Sequence, residues 1–287
     1  MAGHIDQYAP RGSPGLDGWT GADLSAMDDD SKSMLALLLN YADDGKFPEF
    51  WGDARTVGIP KNDGTPDRRP LTVLAAAVRL WARRAARHTS LWLHRYMPPE
   101  IYGARPGTSA ADAAWDLQLD VDEHRTQRRQ LYVMTMDQKQ CFDRLSLASL
   151  HQLAVVLGFP RQALHALNLY ARLQRFLWID GQPTGHILAG HGLRGIPQGC
   201  PLAVHFCNCT SWAWQLFLQF KCNGVRCCSF LNGRLLRATI ITTIVDALAA
   251  TALVDAAFGA LLNIRKTKWS STRPPLASDY DALRDFE

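Results

Sequence analysis

The chain has 287 residues, 47% of them hydrophobic and 20% charged, an ordinary globular composition that excludes fibrous and disordered classes and can bury a sizeable core. Its formal net charge of +4 excludes no ligand class, but the distribution is uneven: residues 1–50 carry 3 basic and 9 acidic side chains, and residues 51–105 carry 10 and 4. A basic block beside an acidic leader suits a polyanion-binding face, although solvated helix surfaces carry such runs too.

Residues 1–20 are rich in Gly and Pro and predict an N-terminal loop ending in Gly15-Leu16-Asp17-Gly18-Trp19. Asp23 to Tyr41 predicts one or two helices, with Leu35, Leu37, Leu38 and Leu39 as the later apolar face. Ala54 to Pro60 predicts a short strand, then a polar turn over 62–66 and a second strand near Leu71 to Leu74. Ala75 to Met97 predicts a long helix with Arg79, Arg83, Arg84 and Arg87 along one side, and Ala110 to His124 predicts another. The run Gln130 to Met136 is strand-like and delivers Asp137 to its end, ahead of a helix over Leu147 to Leu157 that Gly158-Phe159-Pro160 stops. A helix follows around Ala163 to Leu173, then strands from Arg175 to Leu188 broken by Asp180-Gly181. Ala203 to Phe220 predicts a buried helix, Val225 to Leu236 a hairpin centred on Asn232-Gly233, Ile240 to Phe258 a helix, and Ala260 to Lys268 a closing strand. From residue 270 the chain is Pro-containing and acidic and predicts a tail.

No charged-then-apolar leader opens the chain, and its apolar runs fall short of a membrane span, so no signal peptide, transmembrane segment or membrane partner is expected. The seven cysteines lack any Cys-x2-Cys pair and sit mostly in apolar runs, which favours buried free thiols over zinc and an intracellular protein, cytoplasmic or nuclear. Asp137 carries the most chemistry. A carboxylate at a strand end beside a turn suits Mg²⁺, which takes oxygen ligands and keeps positions open for phosphates; the plainer reading is a helix N-cap. Gly195-Ile196-Pro197-Gln198-Gly199-Cys200-Pro201-Leu202 follows in the chain and raises the first reading.

Asp137 and Gln198-Gly199, in this order, resemble the reverse transcriptase domain of retroelements without long terminal repeats and of group II introns. Further pieces are similar to that family in the same order: Gly15 to Trp19; Phe47-Pro48 with Trp51; Val57 to Lys61; Arg68-Arg69-Pro70-Leu71-Thr72; and Tyr102 to Ser109. Asn263 to Thr267 followed by Trp269 closes the series. The resemblance implies an α+β right-hand polymerase, with fingers over 21–125, a palm over 126–269 built on an antiparallel sheet flanked by helices, and no thumb before the acidic tail at 270–287. It also implies roles. Asp137, assisted by the Gln138 carbonyl, would hold two Mg²⁺ ions; Phe142 would gate the sugar; Lys61 and Arg69 would neutralise triphosphate charge; Gln198 and Gly199 would form the floor under template and nucleotide. The implied partners are an RNA template, a DNA or RNA primer and deoxynucleoside triphosphates.

The family needs a second pair of carboxylates on a hairpin after Gln198. Tyr41-Ala42-Asp43-Asp44 spells it on the wrong side of Asp137 and is expected to be a decoy. Of the two segments in the right place, Ile244-Val245-Asp246-Ala247 reads as helix, and Phe230-Leu231-Asn232-Gly233-Arg234-Leu235 has the hairpin context. Neutral Asn232 and Gly233 would then stand where anionic ligands must offset the repulsion of two dications. The expected functions are an RNA-directed DNA polymerase domain, active or ancestrally so and with its metal site open to impairment, a non-catalytic nucleic-acid-binding remnant using the Arg79–Arg87 helix, or a decayed retroelement fragment with no selected function.

Overall fold

In the computed structural model, residue 5 and residues 12–61, 66–187 and 194–284 are described, so much of the loop expected over 1–20 and of the turn expected over 62–66 lies outside them. Among the described residues the strands are β1 (Asp53–Pro60), β2 (Arg68–Val73), β3 (Tyr132–Asp137), β4 (Gln174–Ile179), β5 (Gln182–Ile187), β6 (Arg226–Phe230), β7 (Gly233–Ala238) and β8 (Lys268–Ser271). They form two four-stranded sheets, ordered β2-β1-β4-β5 and β6-β7-β3-β8. The chain divides into two units, each drawn from two stretches: Met1–Trp92 with Ser146–Ala203, and Leu93–Leu145 with Val204–Glu287.

The first unit holds the mixed sheet. β1 pairs antiparallel with β2 and parallel with β4, a long-range match that local patterning does not reveal. Thr56 and Thr72, buried on facing strands, share a hydroxyl contact of 3.2 Å. Helices Gly21–Ala26, Asp29–Asp43, Leu147–Val156 and Arg161–Ala171 belong to this unit, with most of Ala76–Tyr96. Thr20 caps the first of them reciprocally: its hydroxyl accepts from the Asp23 amide at 3.2 Å, and the Asp23 carboxylate accepts from the Thr20 amide at 2.7 Å. Those bonds hold the Asp23 carboxyl below its usual range.

The second unit is built around β3, whose residues alternate between two apolar clusters. Tyr132, Met134 and Met136 pack with Trp214 and Leu218 of helix Ala203–Lys221 and with Ile244, Leu248 and Val254 of helix Ile241–Phe258. Leu131 and Val133 pack on the opposite face with Cys228, Leu235 and the partly buried Leu117 and Val121 of helix Ala110–Thr126. All three pairings in this sheet are antiparallel, as expected of the palm. Helix Ile241–Phe258 is long and apolar enough to cross a membrane by length and composition, contrary to the sequence expectation, and it buries Ile244, Ala247, Leu248, Ala250, Thr251, Val254 and Asp255 within the protein.

Two further expectations are corrected at the C-terminal end. The closing strand begins at Lys268 rather than Ala260, because a 3-10 turn over Ile264–Lys266 intervenes. The expected acidic tail carries helix Ala277–Leu283, with Leu283 and Asp279 buried. Asp279 accepts from the Tyr132 hydroxyl at 3.0 Å and from the Leu276 amide at 2.9 Å, so a polar residue in an acidic stretch anchors the helix to β3. Tyr132→Phe is expected to leave that carboxylate short of a donor and cost about 1–3 kcal/mol. Faster hydrogen exchange of residues 277–283, relative to β6 and β7, would report it.

Candidate active site

The anticipated site residues divide between the units: Lys61, Arg69, Gln198 and Gly199 in the first, and Asp137, Gln138 and Phe142 in the second.

In the first unit the Gln198–Gly199 loop docks on β2. The Thr72 amide donates to the Gln198 carbonyl at 2.7 Å. Gly199 has φ +119°, and a Cβ there would sit 2.7 Å from the Thr72 carbonyl oxygen and 3.1 Å from Leu71 Cδ1. Only glycine fits such an approach. Behind the loop, Arg175 Nη2 donates to the Gly195 carbonyl at 2.8 Å, and the buried Tyr170 hydroxyl donates to Cys200 Sγ at 2.8 Å. Burial pushes the Cys200 thiol up to about 11, so it stays protonated near neutrality.

Arg69 lies opposite Ile59 in the β1–β2 ladder, and strand alternation puts it on the same face as Leu71. That face is the one that meets Gly199. Arg69 is exposed and, among the described residues, makes no hydrogen bond or ion pair, whereas Lys61 pairs with Asp67 at 3.1 Å.

The basic helix behaves differently from expectation. Arg79 is buried, which pushes its guanidinium down, and Arg84 is ion-paired with Asp43. Of the four, only Arg87 is exposed, because the helix turns its Arg79 side into the core. In the Tyr41–Asp44 segment, Asp43 accepts from Trp81 Nε1 at 2.9 Å, and Asp44 pairs with Arg161.

In the second unit Asp137 closes β3 directly opposite Gly233 of β7. The Asn263 amide donates to the Asp137 carbonyl and the Lys139 amide to the Leu261 carbonyl, both at 2.8 Å, so the turn after β3 is clamped by residues 261–263. Gln140 then takes φ +52°, and Phe142 sits half-buried in the four-residue helix Cys141–Arg144. The hairpin is shifted by one from its expected centre. Phe230 pairs with Gly233, leaving Leu231 and Asn232 as the turn, with Leu231 at φ +54°. Gly103 makes room for that tip, since a Cβ on it would meet the Leu231 amide nitrogen at 2.5 Å.

Both carboxylate oxygens of Asp137 are engaged. Asn232 Nδ2 donates to Oδ1 at 2.5 Å, and Lys266 Nζ lies 3.3 Å from Oδ2. Asp246, the other candidate partner, is exposed on helix Ile241–Phe258.

Beneath this cluster lies a polar network that the sequence reading did not assemble. Asp255 Oδ1 accepts from Gln138 Nε2 at 2.8 Å and from Arg234 Nη1 at 2.7 Å. Arg234 also lies over the Trp214 ring at 4.9 Å, and Gln138 Oε1 accepts from Cys141 Sγ at 3.0 Å. Thus the residue after Asp137 and the residue after Gly233 are pinned to one buried oxygen. A signal was present: Asp255 and Arg234 are single charges inside apolar runs, a pattern that calls for a buried partner.

The residues present do not fit a divalent metal. Two Mg²⁺ ions need several anionic oxygens, and both oxygens of Asp137 face donors instead. Among the described residues no group of three or more His, Cys, Asp or Glu side chains could hold a metal ion.

Comparisons with known proteins agree with this architecture. The profile of the family described as reverse transcriptase (RNA-dependent DNA polymerase) matches residues 59–272. A retrovirus-related Pol polyprotein from the type-1 retrotransposable element R2 of Nasonia vitripennis is 26% identical over 214 residues, covering 69% of this chain and 19% of that protein. Its counterpart from the type-2 element R2DM of Drosophila melanogaster is 30% identical over 195 residues, covering 67% and 18%. The chain therefore spans about a fifth of the length of these curated relatives. Among solved structures, the fold is similar to apo telomerase from Candida tropicalis truncated from its C-terminal domain, with TM-score 0.57, 14% identity, and coverage of 88% of this chain and 59% of that one. Telomerase from Candida albicans, solved with the TWJ fragment of telomeric RNA, gives TM-score 0.56 at 14% identity, covering 85% and 46%.

Proposed function

This chain belongs to the reverse transcriptase family, of the kind found in retroelements without long terminal repeats, and from that premise we propose that it engages a template and primer while its divalent-metal nucleotidyl transfer is impaired. The observation that carries the reading is Asn232 donating its amide to Asp137, at the hairpin position where the family's carboxylate pair is expected. A carboxylate there would present lone pairs to a cation; Asn232 presents protons, and Gly233 presents nothing.

The remaining residues keep roles that need no metal. Arg69, exposed on the face that meets Gly199, contributes positive charge for phosphates, and Lys61 joins it when released from Asp67. Gln198 and Gly199, fixed on β2, form a floor for a base pair. Phe142 offers an aromatic surface to a sugar. The partners are an RNA template, a DNA or RNA primer and the nucleotides paired with it, and the telomerase relative solved with telomeric RNA supports a nucleic-acid partner by analogy of fold.

Primer extension with Mg²⁺ or Mn²⁺ on an RNA template is the direct test. No templated product is expected from the wild-type chain, although it binds the primer–template. Binding should weaken by about tenfold or more between about 50 and 200 mM salt, as counterions released by phosphate contacts require, and Arg69→Ala should lower that slope. Robust extension by the wild type, abolished in Asp137→Ala, would reverse the reading.

A further inference from the structure

We propose that the Lys266 ammonium is the resident counter-ion of Asp137, filling from within the chain the position a divalent cation would otherwise take, so that Lys266 controls whether that carboxylate can bind metal. This deepens the reading above and rests on its assignment of Asn232 and Gly233 to the missing carboxylates.

The geometry is built rather than incidental. The segment that delivers Lys266 is the one that grips Asp137 by its backbone: the Asn263 amide donates to the Asp137 carbonyl at 2.8 Å. The amides of Lys266 and Thr267 both donate to the Asn263 carbonyl at 3.0 Å, and the Thr267 hydroxyl donates to it at 3.1 Å, which closes the 3-10 turn. The turn aims the lysine at Asp137 Oδ2, while the hairpin tip aims Asn232 at Oδ1. One cation and one neutral donor therefore satisfy a lone carboxylate with no metal.

Charge decides what such an arrangement excludes. A dication beside Asp137 would face the ammonium a few ångströms away, with no second carboxylate to offset the repulsion. Lys266 is well exposed, at 69% of its side chain, and Asp137 is partly so, at 24%. The pair is accordingly weak and displaceable, and removing the lysine charge leaves the fold in place.

Mn²⁺ titration of the full chain, followed by the loss of the free-ion electron paramagnetic resonance signal, tests this without any activity. Lys266→Met should bind Mn²⁺ roughly twofold to fivefold more tightly than the wild type, the scale of an exposed charge pair. Lys266→Arg, which keeps the charge, should stay at the wild-type level, and Lys266→Met combined with Asp137→Asn should lose the gain. Adding Asn232→Asp to Lys266→Met should tighten binding further. The proposal is overturned if Lys266→Met, folded by circular dichroism, binds Mn²⁺ no better than the wild type, or if its gain survives Asp137→Asn. Primer extension by the wild type would overturn the impaired-transfer reading instead, so the two failures are separable.

Discussion

Asp255→Ala is expected to destabilise the second unit by about 3–5 kcal/mol, a large part of the ~5–15 kcal/mol that holds a domain together. Asp255 is buried on helix Ile241–Phe258, and its Oδ1 is the shared acceptor for Gln138 and Arg234. Its loss strands the Arg234 guanidinium, whose side chain is 1% exposed, in an apolar surrounding of Trp214 and Leu236. It also frees Gln138, so the segment after Asp137 loses its side-chain anchor. Urea unfolding followed by tryptophan fluorescence measures the effect, Trp214 being fully buried and in contact with Arg234. Replacing Arg234 and Asp255 together by apolar residues of similar volume should recover much of the loss, because the cost lies in leaving one charge unpaired. A single Asp255→Ala variant within about 1 kcal/mol of the wild type would mean that the pair is solvated and peripheral.

Gly199→Ala is the second large effect, expected at about 2–4 kcal/mol and confined to the first unit. Two independent obstacles coincide there. The backbone has φ +119°, and the added methyl would meet the Thr72 carbonyl, which belongs to β2 and has little room to move. Gly181→Ala is the matched control: its φ is +81° and no atom lies within 4 Å of the added Cβ, so it pays only conformational strain. The difference between the two variants reads the docking of the loop on β2. Because the Thr72 amide is bonded to the Gln198 carbonyl, Gly199→Ala should also weaken primer–template binding in a way that Gly181→Ala does not. Comparable melting and binding for both variants would show that the loop is not held by β2.

The parts of the fold that could be read in advance are those whose cause is local. β3 announces itself by an apolar run with a carboxylate at its end, and helix Ile241–Phe258 by length and apolarity. The Asn232-Gly233 pair marked a hairpin correctly, but its turn lies one residue earlier. Asn-Gly prefers positive φ at both turn positions; here the ladder with β3 draws Gly233 into pairing with Asp137, and the bend falls on Leu231 against Gly103. Tertiary pairing overrode local turn preference. The parallel match of β1 with β4 spans more than a hundred residues and has no local signature. The Arg79–Arg87 stripe looked like a surface because spacing reveals a face but not which way it points; the helix turns Arg79 inward. Lys266 was visible only as part of a motif. Its meeting with Asp137 depends on a 3-10 turn where an unbroken strand was expected.

The interleaved division of the chain has a consequence for how it is made. The first unit is complete once Ala203 has been synthesised, so it can fold while β6, β7 and β8 are still to come. β3 is in the opposite position: its neighbours in the sheet, β7 and β8, begin only at Gly233 and Lys268. At ribosomal speeds of about 5–20 residues per second, this apolar strand waits several seconds with both edges open. During that interval an unpaired edge can recruit another chain as readily as its own partner. Slowed synthesis between residues 137 and 233, by rare codons for example, should therefore lower the yield of folded protein, and chaperone overproduction should restore it.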